Sequence, residues 1–138
     1  MNITDYTAHI ESLIDSFPII TSSTVNIDRK SEDIAFISGQ IDFVDGSVMD
    51  FKEFIENTET GLEKYKYGYN YRIESEVIFR YDNAPDPRAR GLKTFPHHKH
   101  TKDGKIIESG HKTLSDVLEE IEEIVLNRLV QADLESEK

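Results

Sequence analysis

Cysteine is absent from this chain of 138 residues. Its absence excludes a disulfide framework, a thiolate nucleophile and a cysteine-based zinc site. No apolar run approaches membrane-spanning length. The opening residues, MNITDYTAHIESLIDSF, carry early acids and no basic start, so no signal peptide is expected. The phosphate-binding pattern GxxxxGKS/T, the dinucleotide pattern GxGxxG and the nucleophile elbow GxSxG are all missing. A cytoplasmic protein with no membrane contact is the expectation. The length suits one domain, residues 1–138, with 131–138 read as a charged, frayed tail.

What is there is unevenly charged. The net charge is −11, which by itself argues against a nucleic-acid partner. Yet residues 64–105 hold ten Lys/Arg and five acids, a window of +5, against −16 for the remainder. Three of the five histidines, His97, His98 and His100, lie in the same window. An anionic ligand would be drawn to the middle of the chain and repelled from its ends. The plainer reading is a set of solvated charged faces.

The patterning predicts an α+β fold. Thr4 is read as the cap of a first helix, with Tyr6, Ile10, Leu13, Ile14 and Phe17 at helical spacing and Pro18 as its stop. Strands follow at 19–27, 34–44, 48–55, 62–73 and 77–82. Asp45-Gly46 marks one hairpin, and Asp103-Gly104 another, smaller one. Connections this short allow only antiparallel pairing. Thr113, with Asp116 three residues on, opens a last helix whose stripe is Leu114, Val117, Leu118, Ile121, Ile124, Val125 and Leu129. The expected architecture is an antiparallel meander of about five or six strands with an N-terminal and a C-terminal helix on one face.

Candidate chemistry concentrates in Phe79–His100. In an extended chain His98 and His100 share one side, and His97 and Lys99 the other. The first pair suits general acid and base work near neutral pH. With Asp82 it would also suit a transition metal, but no signature supplies a fourth ligand, so no metal and no cofactor is expected. Arg80 and Asp82 share a strand face. They form either a loop-fixing ion pair or a phosphate grip with a carboxylate that orients a histidine. Asn83 is a turn cap or a ligand contact. Arg88, Arg90 and Lys93 form an arm that would attract anions. Tyr65, Tyr67, Tyr69 and Tyr71 alternate on one strand face, as core or as a stacking platform. Metal-independent RNA cleavage fits this inventory, because the 2′-hydroxyl supplies the nucleophile that the protein lacks. A non-catalytic nucleic-acid- or protein-binding module is the alternative.

FRYDNAP (Phe79–Pro85) and TFPHHKH (Thr94–His100) follow VDGSVMDFKEF (Val44–Phe54) and precede LSDVLEEIEEI (Leu114–Ile124). Together they resemble the TumE-like toxin family of type II toxin–antitoxin systems. The resemblance implies a toxin with RNA as substrate and a cognate helix-turn-helix antitoxin as partner. It leaves the oligomeric state open, a homodimer included. It places Arg80, Tyr81, Asp82, Asn83, His97, His98, Lys99 and His100 at the family's signature positions. From these, His98, His100, Arg80, Asp82, Lys99 and Tyr81 are expected to be catalytic. His97 and Asn83 join Arg88, Arg90 and Lys93 in holding substrate. One departure stands out: Pro85-Asp86-Pro87 occupies a place where members often carry histidine.

Overall fold

A computed structural model describes residues 1–137. Helix α1 covers Ile3–Asp15. Strands β1 (Ile20–Arg29), β2 (Ile34–Phe43), β3 (Val48–Thr58), β4 (Gly61–Ile73) and β5 (Glu76–Asp82) follow without interruption. A 3₁₀ turn at Pro87–Ala89 precedes β6 (His98–Thr101) and β7 (Ile106–Glu108), and helix α2 spans Leu114–Ser136. The strands form one seven-stranded antiparallel sheet in sequence order, so the short His98–Thr101 and Ile106–Glu108 segments extend the expected meander. Both are long enough for a ladder but too short to show a clear alternation in sequence.

Local chemistry sets the element ends. Asn2, not Thr4, caps α1: its side chain accepts from the Asp5 backbone N–H, and Asp5 reaches back to Asn2. Thr113 and Asp116 make the same reciprocal pair at α2. Gly46 and Gly104 take the left-handed backbone that the tight β2–β3 and β6–β7 turns require. The last helix continues through Ser136, so residues 131–136 are helical; Lys138 lies outside the described residues.

Both helices cover the same face of the sheet. Ile3, Ile10 and Ile14 of α1, and Leu114, Val117, Leu118, Ile121 and Val125 of α2, are buried against it. The sheet contributes Ala35, Ile37, Ile41, Met49, Phe51, Ile55, Tyr67, Tyr69, Tyr71, Phe79 and Tyr81. Three tyrosines of the row are therefore core, not platform. Tyr65 departs from the row and is 49% exposed. The cause is a bulge: Lys66 pairs with Phe54 and Lys64 with Ile55, leaving Tyr65 unpaired. The bulge reverses the alternation, turning Tyr65 toward Phe54 and bringing Lys64 into the core.

Lys64 meets Glu53 there. Glu53 has no exposed surface; it accepts hydrogen bonds from the hydroxyls of Tyr6 and Tyr69 and lies 3.6 Å from the Lys64 ammonium. Lys64 also donates to the Tyr69 oxygen and the Lys112 carbonyl. Burial, and then the charge of Glu53, pushes both tyrosines far up and keeps them as donors. Among the described residues, no α-helix covers the opposite face of the sheet.

Candidate active site

The helix-free face gathers side chains from neighbouring strands by register alone. Asn70 pairs with Arg80 and Gly68 with Asp82 across β4–β5. Arg80 pairs with His100 and Asp82 with His98 across β5–β6. Directly opposed residues point to the same side, so Arg80, Asp82, His98 and His100 form a square on the open face.

The square is held by direct contacts. Asp82 is 4% exposed, and both of its oxygens are engaged. Oδ1 accepts from the Ala84 backbone N–H at 3.0 Å and lies 3.1 Å from His98 Nε2. Oδ2 lies 3.1 Å from Arg80 Nε and 3.3 Å from His100 Nε2. The two imidazoles meet edge to face, Nε2 to Nε2, at 3.1 Å. His98 has no exposed surface, and its Nδ1 stands 2.7 Å from the Pro96 carbonyl. A carbonyl only accepts, so Nδ1 carries the proton. The His100 side chain keeps 25% of its surface and that of Arg80 43%. Burial, chiefly, lowers the pKa of His100, with the Asp82 charge opposing, so this imidazole is neutral at physiological pH.

A groove of about 710 Å³ runs over the same face, past Asn26, Ser38, Lys52 and Asn70 to Arg80. Lys52 lies across Gly68 toward Asp82. A Cβ added at Gly68 would stand 3.3 Å from Lys52 Cε and 3.9 Å from Asp82 Cβ. Nothing but glycine leaves that passage fully clear.

The remaining candidates are elsewhere. Tyr81 and Lys99 pair with each other on the helix-covered face. Tyr81 donates to Glu120 of α2, and the Lys99 ammonium lies 2.9 Å from the same carboxylate. They anchor α2 and do not reach the open face, because the two-residue period of a strand puts them opposite Asp82 and His100. His97 shares a hydrogen bond with the Tyr67 hydroxyl and stacks with it, beside His111. Asn83 accepts from the Tyr67 N–H and donates to the Tyr65 carbonyl, bridging the β4 bulge. Arg88 is paired with Asp86, its neighbour in the turn, so that position in place of the family histidine is a local ion pair. Arg90 and Lys93 are exposed in the connection. The structure thus brings together Arg80, Asp82, His98 and His100, with the charge of Arg88 acting on His100 from the adjoining turn, and leaves the other six outside the square.

Sequence reasoning missed the groups that support the square. The Pro96 carbonyl and Ala84 N–H are backbone atoms that no residue pattern reveals. Lys52 carried a signal, since it alternates away from Phe51 and Met49, and so did Gly68, the one gap in a row of aromatic and polar side chains.

No curated protein and no solved structure matches the chain. A family model does: the one described as Toxin TumE matches residues 10–125 of 138, a span that contains the whole sheet and the square of Arg80, Asp82, His98 and His100. The chain belongs to the TumE toxin family.

Proposed function

We propose that the chain is the toxin of a toxin–antitoxin module and cleaves RNA on the helix-free face of its sheet. The observation that carries this reading is the convergence of His, Arg and Asp side chains within hydrogen-bond reach at the end of a groove. A binding module gains nothing from burying a carboxylate between two imidazoles, whereas a proton-transfer centre depends on it. The Arg80 guanidinium, held to Asp82 through Nε, retains its outer nitrogens for a phosphate. His100 is neutral and accessible, and takes the proton of a 2′-hydroxyl as that oxygen attacks phosphorus. The P–O5′ bond breaks, and the leaving oxygen takes a proton from water. His98 is sealed from solvent and positions His100 and Asp82. Tyr81 and Lys99, expected to be catalytic, lie under α2 and have no part in this step. A toxin also implies a cognate antitoxin, for which a small helix-turn-helix protein encoded alongside is the expected form.

The test is growth arrest on expression together with cleavage of RNA by the purified chain freed of antitoxin. His100→Ala should reduce cleavage by roughly 10²–10⁴-fold, the range for losing one proton-transfer group, with unchanged circular dichroism. RNA that is bound but left intact by the wild-type chain would replace this reading with that of a binding module.

A further inference from the structure

Ligand atoms of Asp82, His98 and His100 converge in the square. His98 Nδ1 is engaged with the Pro96 carbonyl, so the ring presents Nε2 inward. Nε2 lies 3.1 Å from one Asp82 oxygen and 3.1 Å from His100 Nε2, and His100 Nε2 lies 3.3 Å from the other Asp82 oxygen. Electron pairs converging in a buried place repel one another unless a positive charge sits between them.

The spacing says what kind of charge. Ligands about 2.1 Å from one ion stand roughly 3.0 Å apart at right angles and roughly 3.4 Å apart at the tetrahedral angle. The imidazole nitrogens, 3.1 Å apart, and their contacts of 3.1 and 3.3 Å to the two different oxygens of Asp82 fall within that interval. Among the described residues, Asp82, His98 and His100 are the group of three His or acidic residues that brings ligand atoms together in this way. Their surroundings match a metal centre as well. A ligating histidine characteristically donates its other ring N–H to a carbonyl, as His98 does to Pro96, and its carboxylate partner is itself hydrogen-bonded, as Asp82 is to Ala84 and Arg80.

We infer that Asp82, His98 and His100 bind one divalent first-row transition ion, such as zinc or manganese, with its remaining coordination positions open toward the groove. Two imidazoles and one carboxylate select such ions over magnesium or calcium, which prefer oxygen alone. The open positions would take water and a phosphate oxygen, next to the phosphate grip of Arg80. Ion binding stands on the geometry alone; its consequence for RNA rests on the function proposed above. In the loaded protein His100 Nε2 is a ligand, and hydroxide on the ion replaces it as the acceptor of the 2′-hydroxyl proton, becoming water.

The experiment uses the full chain, stripped with a chelator and titrated calorimetrically with zinc, manganese and magnesium chlorides, with metal content measured before stripping. Zinc or manganese should bind once per chain and raise the melting temperature; magnesium should bind at least tenfold more weakly. His100→Gln and Asp82→Asn should each weaken binding tenfold or more, while His9→Gln, on the exposed side of α1, should not. Cobalt(II) absorption that disappears in His100→Gln gives a second readout independent of stability. No stoichiometric binding by folded wild-type chain, or binding that survives His100→Gln, overturns the inference. Metal binding without RNA cleavage leaves the inference standing and removes the ribonuclease. Cleavage by the stripped chain in excess chelator, with no ion bound, leaves the ribonuclease standing and removes the ion-bound hydroxide from its mechanism.

Discussion

At the scale of single residues the molecule contains two buried carboxylates with opposite surroundings. Asp82 faces imidazole nitrogens and the guanidinium of Arg80, which lines the groove. Glu53 faces two phenols and an ammonium, and is closed off by α1. The first arrangement is the proposed reactive one, and the second ties α1 to the sheet. Burial lowers the pKa of Lys64, and only Glu53 and Asp116 offset that by their charge, the former also through its hydrogen bond. Glu53→Leu would leave this ammonium, whose side chain is 8% exposed, without its near counter-charge. Breaking one side of such a pair costs about 3–5 kcal/mol. Urea denaturation should show a loss of that order, and Glu53→Leu with Lys64→Met should recover much of it. If the double variant is no better than the single one, the lysine is not what makes Glu53→Leu costly.

At the scale of elements, the bulge in β4 decides that Lys64 faces the core and Tyr65 the open side. Asn83 fills it by bonding to the backbone on both sides of Lys66, at Tyr65 and Tyr67. Asn83→Ala removes both bonds and should cost about 1–3 kcal/mol, seen as a lower denaturation midpoint. A midpoint within error of wild type would mean that the bulge stands without it. The sequence could not announce this feature: Lys64 to Asn70 reads KYKYGYN, and an inserted residue leaves that alternation of letters intact while reversing its sense in space. The same limit explains Tyr81 and Lys99. Their neighbours Asp82 and His98 do sit in the square, and strand periodicity already separates the two sets; adjacency in a motif brings them together on paper. The hairpins were legible because Asp-Gly has a local cause, and the helices because their caps and stripes do. The Glu53 network was not, because nothing local marks a glutamate for burial.

At the scale of the whole molecule, stability is tied to histidines that fold neutral. Burial, above all, lowers the pKa of His97, and the charges of His98 and Lys64 add to this. Tyr67, pushed up to about 12 mainly by burial, keeps the proton that it donates to His97 Nδ1. The unfolded chain therefore binds a proton that the folded chain refuses. The resulting stability is complete above the unfolded value of about 6.5 and is lost as pH falls through the lowered folded value. Melting temperature should decline between about pH 7 and about pH 5, before the carboxylates titrate. His97→Gln should shrink that decline; an equal decline would assign it to other groups.

The order of the strands has a further consequence for how such a protein is made. Each strand of the sheet pairs with the one synthesised just before it, so the sheet lengthens in the direction of translation. A ribosome that has passed Asp82 has released the carboxylate and the arginine of the square but neither histidine. The full set exists only once His100 has emerged, and α2, which buries the other face, comes last. For most of its synthesis the chain is a growing scaffold without the assembled square, and a product that stops short of His98 lacks the square altogether.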